Sequence, residues 1–122
     1  MAREVLVTRR LPDEGMELLA RSCRMRLWEE DRPLPKEKFL KMAAGVEGIL
    51  CLLSDPMGKD VMDAAGPKLK AISTMAVGYD NIDVDEATER GVRVGNTPGV
   101  LTEATADFTW ALMLAVSRRV AE

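Results

Sequence analysis

The stretch that decides the fold is Ser73-Thr74-Met75-Ala76-Val77-Gly78-Tyr79-Asp80-Asn81-Ile82-Asp83, followed by Gly91-Val92-Arg93-Val94-Gly95-Asn96-Thr97-Pro98-Gly99. It reads as the end of a short strand, a tight glycine turn, a capped helix, a second strand and a glycine-proline turn. Glycine lets the backbone turn sharply and brings consecutive N–H groups close to a ligand. Val77-Gly78 would then sit at the carboxyl end of a parallel strand, where open α/β sheets bind small anions. The alternative is a glycine used only to leave the strand.

The same alternation extends outward. Val5-Leu6-Val7 reads as the first strand. Pro12 opens a helix with Met16, Leu18 and Leu19 facing inward. Residues 25–27, through Trp28, read as a second strand near the sheet edge. Residues 36–44 form a helix with Phe39, Leu40 and Ala43 inward, stopped near Gly45. Residues 48–53 are continuously apolar, as a central parallel strand buried on both faces requires. Residues 59–65 are helical, 69–73 a strand, 83–90 a helix capped by Asp83, and 92–94 a strand. Strands alternating with helices at this spacing predict an α/β fold, a doubly wound, five-stranded parallel sheet.

The last segment differs. Between Phe108 and Val116 only Thr109 is polar. A helix apolar nearly all round needs burial on nearly all sides, which one sheet face cannot supply. Nine residues are too few to span a bilayer. The expectation is a covering domain or subunit. Thr102 reads as the N-cap, with Glu103 and Asp107 suited to the positive end of the helix dipole.

Composition excludes several function classes. The 122 residues fit one domain, and 17 basic against 20 acidic residues argue against nucleic-acid binding. Cys23 and Cys51 are too isolated for a disulfide framework or a zinc site, and read as reduced thiols of a cytoplasmic protein. No signal peptide or membrane span is visible. The chain has no histidine. Gly91, Gly95 and Gly99 are spaced by four and cannot form a G-x-G-x-x-G cradle. No catalytic set assembles from these residues alone.

Other positions leave alternatives open. Ser54 touches a ligand or caps the turn before Pro56. Leu53 is core or the apolar wall of a pocket. Asp80 is an acid or base, or orders its loop by accepting local N–H groups. Asn96-Thr97-Pro98-Gly99 is accounted for by turn chemistry.

Taken together, Leu52-Leu53-Ser54-Asp55, the segment 72–81, Gly91-Val92-Arg93-Val94-Gly95-Asn96-Thr97-Pro98 and Thr102-Glu103-Ala104-Thr105-Ala106-Asp107 resemble the amino-terminal part of D-isomer-specific 2-hydroxyacid dehydrogenases. They are most like the glyoxylate/hydroxypyruvate reductase branch. The resemblance covers essentially the whole chain. It implies a flavodoxin-like substrate-binding domain over residues 1–99. Residues 100–122 would be the crossover helix towards an NAD(P)-binding Rossmann domain. It further implies that the backbone of Val77 and Gly78 binds the carboxylate of a small 2-oxo or 2-hydroxy acid. Leu53 would line the pocket, Ser54 would lie near it, and Met75 would shape the loop from behind. Thr102 would approach the nicotinamide end of NADH or NADPH. The family's arginine, its carboxylate partner and its histidine would lie beyond residue 122, so the chain alone is expected to be inactive. A homodimer is implied as well. The rival expectation is a non-enzymatic flavodoxin-like binding or interaction module, since the family also includes a corepressor branch.

Overall fold

In the computed structural model, which describes residues 2–122, the elements follow in the order β1 (Arg3–Val7), α1 (Asp13–Ser22), β2 (Cys23–Leu27), α2 (Lys36–Ala43), β3 (Gly48–Cys51), α3 (Lys59–Ala65), β4 (Ala71–Thr74), α4 (Val84–Glu89), β5 (Arg93–Gly95) and α5 (Thr102–Ser117). The strands lie in the order β2-β1-β3-β4-β5, and every pairing is parallel. That is the flavodoxin-like order of a doubly wound sheet.

Register explains the core. Leu6, Ile49, Ile72 and Val94 are successive neighbours across four strands, so they share one face. They pack with Phe39 and Ala43 of α2, Val61, Met62 and Ala65 of α3, and Ala87 of α4 in one apolar cluster. The β2 strand lies at the sheet edge, as its charged neighbours predict.

Helix ends follow local chemistry. Asp83 Oδ1 accepts from the Glu86 N–H at 3.0 Å and caps α4. At the other end Val92 N–H donates to Ala87 O and Gly91 N–H to Thr88 O, a Schellman closure. That closure needs the left-handed φ of +68° at Gly91.

Three sequence expectations need correction. Leu18 is 67 % exposed, because α1 packs chiefly beside the edge strand β2 and Met16 is the residue it buries there. The central strand stops at Cys51, since Leu52 N–H turns to bond the Asp55 carboxylate. Thr102 is the first residue of α5 and Leu101 takes the cap position, without a side-chain cap bond.

No residue of α5 is buried. Phe108, Trp110, Leu112, Met113, Leu114 and Val116 all stand at least half exposed. The helix has no apolar partner among the described residues. Among those residues, no helix is long and apolar enough to cross a membrane.

Candidate functional site

The carboxyl ends of β3 and β4 carry two neighbouring loops, residues 52–56 and 75–82. Parallel strands aim their last carbonyls and the following N–H groups towards this edge. Met75 N–H continues the ladder by donating to Cys51 O at 3.0 Å. The loop after it is tied by its carbonyls: Thr97 N–H donates to Ala76 O at 2.8 Å, and Asn96 Nδ2 donates to Val77 O at 2.8 Å. The N–H groups of Val77 and Gly78 find no acceptor among the described residues. Both residues are exposed, so the two free donors face solvent at the sheet edge. Adjacent free N–H groups of this kind attract an anion without a cationic side chain.

Around them stand exposed apolar side chains. Leu53 is 57 % exposed, which removes it from the core and leaves it on the surface beside Gly78. A Cβ placed on Gly78 would stand 3.8 Å from Leu53 Cδ2. Met75 and Tyr79 are also about half exposed. Ser54 is exposed, and its hydroxyl makes no bond among the described residues. Thr102 lies exposed at the start of α5.

The structure differs from the sequence reading in how the turn is made. Gly78 does not adopt a left-handed φ. The bend needs no glycine-specific torsion, and the absent side chain instead leaves the main chain accessible beside Leu53. Asp80 is exposed and accepts no hydrogen bond among the described residues, so it does not order its loop. Asn81 does, through Nδ2 bonds to Leu52 O at 3.1 Å and Asp55 O at 2.9 Å. The Asn96-Thr97 turn is more than a strand exit, because it fixes the loop carrying the free donors.

Sequence reasoning also missed Thr8 and Asp55. The order of the sheet reverses between β1 and β3, the usual ligand crevice of such folds. Here Thr8 and Asp55, both fully or nearly buried, fill it with a 2.6 Å hydrogen bond. The accessible site is displaced by one strand, to β3 and β4. The only sequence signal was polarity at the end of two apolar strands.

Cys51, behind this edge, is buried, and burial foremost pushes its thiol up to about 11. It is a poor nucleophile in that state. Among the described residues no cluster of His, Cys, Asp or Glu could hold a metal ion. Nor do these residues fit a dinucleotide, lacking a glycine cradle and offering only Thr102 at the helix start. A groove of about 550 Å³ lined by Arg3, Glu47, Lys70 and Arg93 lies at the opposite, amino-terminal end of the strands, remote from the free donors.

A parallel sheet in flavodoxin-like order, with unengaged main-chain donors on the loop beyond its fourth strand, defines a doubly wound α/β domain. Residues 5–122 match the family described as D-isomer specific 2-hydroxyacid dehydrogenase, catalytic domain, and the chain belongs to it. It is 47 % identical over 122 residues to a glyoxylate reductase of Thermococcus kodakarensis, covering all of this chain and 36 % of that protein. It is 48 % identical over 121 residues to the human glyoxylate reductase/hydroxypyruvate reductase, covering 98 % of this chain and 37 % of that one. A crystal structure of a Thermus thermophilus protein superimposes with a TM-score of 0.90 at 46 % identity, covering 98 % of this chain and 38 % of the other. The chain therefore spans little more than a third of the length of these relatives.

Proposed function

We propose that this chain is the substrate-binding part of an NAD(P)H-dependent 2-hydroxyacid dehydrogenase that reduces glyoxylate or hydroxypyruvate. The observation that carries the reading is the pair of N–H groups at Val77 and Gly78, free among the described residues, whose own peptide carbonyls, Ala76 O and Val77 O, are held by Thr97 N–H and Asn96 Nδ2. A carboxylate at this edge accepts from both donors, the exposed Leu53 side chain flanks the small acyl carbon next to it, and Met75 shapes the loop from behind. Main-chain donors fixed before substrate arrives lose little entropy on binding and orient the carbonyl for attack.

In this reading residues 1–99 form the substrate domain and residues 100–122 the crossover helix. The exposed apolar surface of α5 supports that division, since it suits a neighbouring nucleotide-binding domain in a homodimer. Thr102 would lie at the nicotinamide end, where NADH or NADPH supplies hydride when bound. The residues of this chain hold and orient the acid; the proton donor and the carbonyl-polarising cation come from elsewhere in the enzyme, and the 122-residue chain alone is inactive. A self-sufficient interaction module would bury Trp110, which is 63 % exposed.

The test is the full-length enzyme assayed with glyoxylate and each of NADPH and NADH. Oxidation of either cofactor that depends on glyoxylate supports the reading. No absorbance loss with either cofactor at saturating enzyme defeats it.

A further inference from the structure

Asp55 is a carboxylate only 2 % exposed, held by hydrogen bonds none of which comes from a cation. Such a group persists only where donors replace its lost water. Two donors do so, and both converge on one oxygen. The Thr8 hydroxyl donates to Oδ2 at 2.6 Å and the Leu52 N–H donates to the same atom at 2.8 Å. The main chain of this turn is gripped from its other side. Asn81 Nδ2 donates to the carbonyls of Leu52 and Asp55 at 3.1 and 2.9 Å. The Asn81 main-chain carbonyl in turn accepts from Met57 N–H at 2.7 Å.

These groups come from three separate places: the residue after β1, the turn after β3, and the loop after β4. Leu53 and Ser54 are the two residues enclosed between Leu52 and Asp55. Val77 and Gly78 lie on the loop that Asn81 closes. Thr8 and Asp55 are buried polar groups, and Asn81 is half-buried. Core packing would be served as well by an apolar residue of similar volume.

We propose that Thr8, Asp55 and Asn81 are positioning residues that lock the Leu53-Ser54 turn against the Val77-Gly78 loop and so set the geometry of the acid-binding edge. This rests on the function proposed above for that edge. The chemistry of the clamp is specific. Because both donors meet one oxygen, an amide carbonyl can replace the carboxylate: Asp55→Asn keeps the clamp and Asp55→Ala breaks it. Thr8→Ser keeps the hydroxyl and Thr8→Val removes it. Asn81→Asp turns a carboxylate towards two carbonyl oxygens and is the most damaging.

The experiment uses the full-length enzyme, with steady-state kinetics and amide hydrogen exchange. Asp55→Ala and Thr8→Val raise the KM for glyoxylate at least about tenfold and leave the KM for the nicotinamide cofactor within about twofold. Asp55→Asn and Thr8→Ser stay within about threefold of wild type on both constants. In Asp55→Ala and Thr8→Val the Leu52, Met57 and Ile82 amides lose protection together, while those of β2 keep it. An unchanged glyoxylate KM in folded Asp55→Ala or Thr8→Val overturns the proposal. So does Asp55→Asn proving as harmful as Asp55→Ala, or a fall in kcat with both KM values constant, the mark of a merely structural role. If the wild-type enzyme does not turn over glyoxylate, the functional reading fails and the exchange result decides the clamp alone: coupled loss of protection supports it, and independent loss refutes it.

Discussion

Asn96 Nδ2 donates to the Val77 carbonyl at 2.8 Å, joining the exit of the fifth strand to the loop beyond the fourth. With that oxygen engaged, and the Ala76 oxygen held by Thr97 N–H, the following N–H groups are left to face solvent. In the function proposed above, the loop's readiness for an anion is thus imposed from the neighbouring strand.

Removing that bond should loosen the loop without unfolding the domain. Asn96→Ala is expected to cost about 1 kcal/mol of stability or less, as for one exposed hydrogen bond. Glyoxylate KM should rise several-fold. Asn96→Asp should be worse, because it sets a carboxylate against the Val77 carbonyl. Denaturant melts paired with kinetics on the full-length enzyme check both.

Gly78 separates folding from binding. Its φ is not left-handed, and a Cβ there would meet only Leu53 Cδ2, at an ordinary 3.8 Å. Gly78→Ala should therefore keep stability within about 1 kcal/mol, or gain slightly through a less flexible unfolded chain. The new methyl stands beside the free N–H groups, so binding of a small carboxylate should weaken at least about tenfold, roughly 1.4 kcal/mol. A parallel loss of stability would mean that the glycine is a structural turn residue only.

The α5 helix makes a prediction about association. Its exposed Phe108, Trp110, Leu112 and Leu114 form an apolar surface on a helix that buries none of its own residues. The isolated 122-residue chain should self-associate or aggregate on size-exclusion chromatography, and a version ending at residue 101 should elute as a monomer with its core intact. A monodisperse monomer of the intact chain, with tryptophan emission typical of burial, would contradict this.

Cys51 gives a signed pH dependence. Burial raises its pKa from 9.0 to about 11. Between those values the folded state holds a proton that the unfolded state has released, so stability falls as pH rises. The contribution is fully present below pH 9 and is lost as pH climbs through about 11. Two pKa units correspond to about 2–3 kcal/mol. The stability gap between wild type and Cys51→Ala should narrow by about that much across this window, as read by denaturant melts at stepped pH.

Much of the fold was legible because its signals are local. Continuous apolar runs marked the inner strands, Asp83 and Gly91 bracketed α4, and the all-round apolarity of residues 108–116 foretold a helix left unburied among the described residues. Leu18 misled because helical periodicity cannot say how far a neighbouring sheet extends. One glycine at a strand end pointed to positions 77 and 78, although the bend there needs no glycine-specific torsion. Thr8, Asp55 and Asn81 were not readable as a unit. They are 47 and 26 residues apart along the chain, and each looks like an ordinary turn residue until parallel pairing brings three strand ends together.

The most direct measurement is a titration of oxalate into the isotopically labelled full-length enzyme, following the backbone amides. The Val77 and Gly78 N–H resonances are expected to shift downfield and saturate together, with smaller changes at Leu53 and Ser54. Saturable oxalate binding that leaves those two resonances unmoved, or that maps instead to the groove between Arg3 and Arg93, would contradict it.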